Sequence, residues 1–164
     1  MRIFLLGFMG SGKSSIGKRL AAHLNLEFID LDSYMEERFK MSVTNIFAQF
    51  GEKHFRDLEQ LSLKEILRLQ DFVLACGGGT PCFYQNMEIM NNSGETFYIK
   101  MNQKALTVRL ANAKKVRPLL MGVTQDEMPD KISEILEKRE VFYNQAKHIV
   151  DGVNLKVDDI LRLL

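Results

Sequence analysis

A chain of 164 residues with 22 Lys and Arg against 21 Asp and Glu carries a net charge of +1, so no overall field recruits nucleic acid or an anionic membrane, although local arginines can still meet small acidic substrates. One hydrophobic core suffices at this length, burying about two-thirds of the unfolded surface, and the expectation is one domain over residues 1–164. No apolar stretch approaches the ~20 residues that span a bilayer and the N-terminus reads as a core strand, which points to a cytoplasmic chain without a membrane partner. A monomer without a nucleic-acid partner is expected.

The first strand is Arg2 to Leu6, and it runs into G-F-M-G-S-G-K-S at Gly7 to Ser14, a complete G-x-x-x-x-G-K-[ST] phosphate loop. An amphipathic helix follows, with Ile16, Leu20 and Leu24 on one face. Leu26 to Leu31 is a second strand that ends at Asp30 and Asp32. Asp32 and Ser33 can cap a helix through about Phe39, and Ser42 can cap another, Thr44 to Phe50, that stops at Gly51. From about Glu52 to Leu69 a longer helix repeats Phe55, Leu58, Leu61 or Leu63, and Ile66 or Leu69 at helical spacing.

Phe72 to Cys76 is a continuously apolar strand suited to a sheet centre, and Gly77-Gly78-Gly79 after it implies a close approach to the backbone. A short helix around Tyr84 to Asn92 leads to a strand at Glu95 to Met101 and a helix from Gln103 to about Ala113. Lys114 to Gly122 has no regular period, Thr124 to Glu127 is a capping box for a helix reaching about Tyr143, His148 to Asp151 is a fifth strand, and Asp158 to Leu164 is a closing helix. Alternating strands and helices without repeats or low-complexity linkers predict an α/β fold, a parallel sheet covered by helices. Cys76 and Cys82 read as small buried hydrophobes, and His23, His54 and His148 lack metal-ligand spacing.

Ligands of a parallel sheet collect beyond the carboxyl ends of its strands. There this chain places the phosphate loop, two aspartates and the triple glycine. In the loop, Gly7, Gly10 and Gly12 let backbone N–H groups converge on phosphates, Lys13 can supply a point charge and the Ser14 hydroxyl can meet Mg²⁺, with Ser11 and Ser15 in the same expected ATP site. If Asp30 and Asp32 alternate along an extended segment, one faces a metal and the other a substrate pocket.

G-x-x-x-S-G-K-S, then D-L-D at Asp30 to Asp32, I-F…F-G-E-x-x-F-R-x-x-E at Ile46 to Glu59, G-G-G at Gly77 to Gly79, R-P-L-L at Arg117 to Leu120 and R-x-x-x-Y at Arg139 to Tyr143 together resemble the shikimate kinase family in order and spacing. The resemblance implies a P-loop three-layer αβα sandwich of the nucleoside-monophosphate-kinase type with a lid. Its five-stranded parallel sheet is ordered 2-3-1-4-5. It also implies transfer of the γ-phosphoryl group of ATP to the 3-hydroxyl of shikimate, with Mg²⁺ as cofactor, giving shikimate 3-phosphate and ADP. Residue by residue it assigns Asp32, Gly78 and Gly79 to the acceptor hydroxyls, Arg56 and Arg139 to its carboxylate, Ser14 and Asp30 to the metal, and Lys13, Asp32 and Arg117 to catalysis. Arg109 and Arg117 join the phosphate loop in the ATP site. Residues of about 32–60, Phe47 and Phe55 included, form the substrate-binding subregion, and 114–122 the lid.

Blander roles stand beside these. Arg56 and Arg139 could form surface ion pairs, Phe47 and Phe55 could be plain core, and Arg109 a solvated side chain. Two stretches depart from the family pattern. The loop Gly152 to Leu155 lacks an arginine or proline that many relatives carry, and Thr80 to Tyr84 includes a stiffening proline. Competing readings are a sister kinase acting on gluconate or nucleotides, and a protein using ATP only as a switch.

Overall fold

A computed structural model describes residues 1–114 and 117–164. Five parallel strands, β1 (Arg2–Leu6), β2 (Glu27–Asp30), β3 (Phe72–Ala75), β4 (Glu95–Lys100) and β5 (His148–Asp151), form one sheet in the order β2-β3-β1-β4-β5, as expected. Leu5 pairs with Ala75 on one side and Phe97 on the other. The carboxyl ends of all five strands therefore lie at one edge, where the loops of the site begin, with β4 running past Tyr98, the partner of Leu6, to Lys100.

Alternation along the strands divides the core between two faces. Phe4, Leu6, Phe72 and Leu74 face one way, against the helices α2 (Leu31–Phe39), α3 (Val43–Ile66) and α4 (Asn86–Ser93). Ile3, Leu5, Val73, Phe97 and Ile99 face the other, against α1 (Lys13–Leu24) and α7 (Val157–Leu161). A third cluster joins Phe8, Met9 and Met101 to α5 (Gln103–Ala111) and α6 (Met128–Tyr143) above the carboxyl edge. Each such buried side chain contributes roughly 1.5–3 kcal/mol, so these clusters hold the strand ends in register. No helix among the described residues is long and apolar enough to cross a membrane.

Several boundaries differ from the sequence expectation. β2 stops at Asp30, and Asp30 caps α2 by accepting a bond from the Ser33 N–H at 3.3 Å. Asp32 therefore stands in the first helical turn, and it is this helix start that separates the two aspartates, since strand alternation would put residues two apart on one face. Ser42 caps α3 and Gly51 (φ 82, ψ 172) breaks its helical backbone, both as expected, but the second part ends at Ile66 instead of Leu69. Leu63 and Ile66 are the buried choices, leaving Leu61 and Leu69 exposed. Thr124 and Glu127 make the reciprocal capping bonds at 3.1 and 3.3 Å, although α6 itself begins at Met128. Lys115 and Val116, inside the expected lid, lie outside the described residues.

Candidate active site

The phosphate loop bends through left-handed Gly10 (φ 80) and Gly12 (φ 94) into α1, whose N-terminus has no side-chain cap. Its first N–H groups thus remain available to an anion. Lys13 folds over the loop, donating to the carbonyls of Gly7 (2.8 Å) and Phe8 (2.9 Å). Burial pushes its ammonium down to about 8, and the positive charge of Arg117 pushes the same way, against the opposing pull of Asp32 and Asp30. Two cations brought together around an open space make that space favour an anion. Beside them the Ser14 hydroxyl donates to Asp30 Oδ2 at 2.6 Å. Asp32, Cys76 and Gly78 complete this cavity.

A second cavity opens beyond Gly12, bounded by Ser11, Ser15, Arg109 and the loop after β5 (Gly152, Asn154, Leu155). Arg109 is exposed but not free, because its Nη1 donates to the Gly10 carbonyl at 3.2 Å. Arg19, which the sequence reading passed over, lines the same wall. Its sign was available, since Arg19 lies one helical turn after Ser15 and shares its face.

The third cavity lies on the opposite side of Asp32, lined by Phe47, Phe55, Arg56, Arg139, Gly79 and Leu119 among others. It shares Met9, Asp32, Gly77, Gly78 and Arg117 with the phosphate cavity, so the two adjoin. Phe47 and Phe55 serve twice, packing on the core with ring centroids 5.6 Å apart while forming this wall.

What approaches the triple glycine is charge. A Cβ at Gly77 would stand 2.8 Å from Glu59 Oε1, one at Gly78 2.8 Å from Arg139 Nη1, and one at Gly79 2.6 Å from Arg56 Nη1. Tyr143 donates its hydroxyl proton to the Gly78 carbonyl.

Arg56 does form an ion pair, with Glu59 at 2.9 Å, but a buried one instead of the surface pair the sequence allowed. Glu59 is 1% exposed, accepts a 2.7 Å bond from the Thr80 hydroxyl, and has its carboxyl raised by burial against the opposing pull of Arg56. Arg56 Nε is buried without a partner among the described residues, and Nη2 reaches only the half-exposed Glu52 at 3.4 Å. An in-plane edge of the guanidinium is thereby left for a ligand acceptor. Arg139, also buried, stands over the Phe8 ring at 5.8 Å. Cys76 is buried as expected, whereas Cys82 is partly exposed, and burial pushes its thiol up to about 11.

The family model of shikimate kinases matches residues 9–163. The chain belongs to the shikimate kinase family. The curated shikimate kinase of Bacteroides thetaiotaomicron is 46% identical over 156 residues, which is 95% of this chain and 89% of that protein. A crystal structure of the shikimate kinase from that organism superposes with a TM-score of 0.95 at 43% identity, covering 99% of this chain and 97% of the other. The Acinetobacter baumannii enzyme, solved in complex with shikimate, superposes at 0.90 with 30% identity over 99% of this chain and 91% of its own. A Sinorhizobium meliloti gluconokinase shares the fold at a TM-score of 0.64 but is only 18% identical. As a member of the shikimate kinase family the chain is an ATP-dependent kinase, which sets aside the nucleotide-switch reading and the sister kinases.

Proposed function

We propose that this chain transfers the γ-phosphoryl group of ATP to the 3-hydroxyl of shikimate, releasing ADP and shikimate 3-phosphate. The observation that carries the reading is an anion cradle and an arginine-lined cleft that adjoin with one aspartate, Asp32, in both walls. The nucleoside takes the cavity of Arg109, Arg19 and Asn154, and the phosphates lie on the N-terminus of α1 between Lys13 and Arg117. Arg56 and Arg139 fork onto the shikimate carboxylate, and the backbone of Gly78 and Gly79 meets its hydroxyls.

The acceptor oxygen forms a bond to the γ-phosphorus as the bond from that phosphorus to the β–γ bridging oxygen breaks. Asp32 orients the hydroxyl and accepts its proton. Lys13 and Arg117 stabilise the charge on the transferring group and the leaving ADP, Lys13 by exchanging its bonds to the Gly7 and Phe8 carbonyls for phosphate oxygens. The residues present fit Mg²⁺: Ser14 and Asp30 give two adjacent oxygens 2.6 Å apart, and the described residues hold no cluster of three His, Cys, Asp or Glu that would favour a protein-caged metal. When bound there, the ion neutralises and orients the phosphate oxygens.

Release of ADP, followed by a coupled assay with shikimate, gluconate and nucleoside monophosphates in turn, tests the reading. Turnover is expected with shikimate alone. Arg56→Ala and Arg139→Ala should each raise the KM for shikimate by roughly 30-fold, since removing one partner of a desolvated charge pair costs about 2–5 kcal/mol, with the ATP KM little changed. Weakened ATP binding with intact shikimate binding would return both arginines to structural ion pairing.

Lys13 supplies a pH-linked result. A lysine lowered to about 8 is charged below that pH and increasingly neutral above it. Its buried charge disfavours the folded state below about 8, and that cost fades as pH rises toward the ordinary lysine range. Phosphates of ADP restore the charge, so binding at about pH 9 should take up most of one proton. Titration calorimetry in two buffers of different ionisation enthalpy reads the uptake directly. Identical heats in both, or the same uptake in Lys13→Met, would contradict the assignment.

A further inference from the structure

The stretch between the glycine run and α4 carries a strained backbone. Tyr84 (φ 51) and Gln85 (φ 59) are consecutive non-glycine residues in the left-handed region. L side chains adopt it only where the surroundings enforce it. Here the enforcement comes from α3. Tyr84 donates its hydroxyl proton to Asp57, Gln60 Nε2 donates to the Tyr84 carbonyl at 3.3 Å, and Thr80 donates to Glu59 at 2.7 Å. Asn86 ties the turn to itself through the Thr80 carbonyl at 3.0 Å. The residues gripped, Asp57, Glu59 and Gln60, all lie within four positions of Arg56.

What this lacing delivers is Phe83. Its ring centroid lies 4.3 Å from the Arg56 guanidinium carbon, closer than that of Phe55 at 5.0 Å. Phe83 does not line the acceptor cavity. It lines the groove behind it, with Cys82, Glu52 and Leu119. A guanidinium held over a ring by cation–π attraction keeps its N–H groups for hydrogen bonds. These include the unpartnered Nε.

We propose that Phe83 is a positioning residue for acceptor recognition: held by the left-handed Tyr84–Gln85 turn, it fixes the Arg56 guanidinium so that its unpartnered edge meets the acceptor carboxylate. The inference rests on the clamp role of Arg56 proposed above. Phe83 acts through Arg56 alone and touches no reacting atom.

The test compares steady-state constants for Phe83→Leu and Phe83→Tyr, with the wild type and Arg56→Ala alongside. Each is run with shikimate and with its neutral primary amide. Leucine keeps apolar bulk but removes the π face, so Phe83→Leu should raise the shikimate KM by ~10-fold. Its kcat, ATP KM and melting temperature should stay near wild type, and Phe83→Tyr should restore the shikimate KM. With the amide, Phe83→Leu should match the wild type, because no carboxylate is there to be aligned. An unchanged shikimate KM in Phe83→Leu, or equal losses on acid and amide, would overturn the positioning role while Arg56→Ala still shows its own loss. A shikimate KM unaffected by Arg56→Ala would overturn the clamp, and Phe83's part with it. Should Phe83→Leu not fold, exposed Tyr84→Phe carries the test: releasing the turn from Asp57 should raise the shikimate KM by about threefold with kcat unchanged, and no change would overturn the proposal.

Discussion

Replacing Lys13 with alanine is expected to lower kcat by roughly a thousand-fold or more while the protein still folds. Removal of one preorganised donor from a developing anion costs on the order of 10²–10³ in rate, and here the donor carries a full charge enclosed beside Arg117. At about 1.4 kcal/mol per tenfold, the loss is several kcal/mol in the transition state. The fold has little at stake. The ammonium bonds only to two loop carbonyls, and its lowered pKa marks the charge as unfavourably buried in the free protein. Circular dichroism melting should therefore stay close to wild type. Near-normal turnover in the variant would sink the kinase mechanism.

Asp32→Asn should fall almost as far, and for a different reason. An asparagine keeps the shape but loses the charge and the basic oxygen, and loss of a general base costs about 10²–10⁴-fold, mainly in kcat. No metal concentration should restore it. Asp30→Asn should behave differently, because Asp30 lines the phosphate cavity and not the acceptor cavity, and already accepts a hydrogen bond from Ser14. Weakened metal affinity is offset by mass action, so higher Mg²⁺ should recover much of its rate. A Mg²⁺ titration of both variants separates the roles. Rescue of Asp32→Asn alone would exchange them, and equal rescue would place both carboxylates at the metal.

Much of this was legible along the chain because its signals are local. The phosphate loop needs only a strand, glycines and a lysine in succession, and β1 and β5 fell at their expected limits. The first turn of α2 was misread by two residues because Asp30 and Asp32 are both good caps, and only the Ser33 bond distinguishes them. Burial of the Arg56 pair was not legible at all. Its environment is made by Thr80 and the glycine run, more than twenty positions away, and a helix with Glu three residues after Arg looks the same whether it faces solvent or a cleft. Arg19 was passed over for a related reason. The cavity it borders is closed by Asn154 and Leu155, which meet it only once β5 is in place.

The run Gly77-Gly78-Gly79 carries a consequence at the level of the gene. Every amino acid one base change away from a glycine codon has a Cβ, and at each of these positions that atom would enter space held by Glu59, Arg139 or Arg56. The obstructing atoms are side-chain tips, but those of Glu59 and Arg56 belong to a buried ion pair, which a Cβ would displace together with Arg139. Drift at these sites is thus closed off by stability and, on the proposed function, by acceptor binding as well. An inhibitor that bonds to the main chain of this run would face a surface with no single-step escape, so resistance would have to arise elsewhere in the cleft.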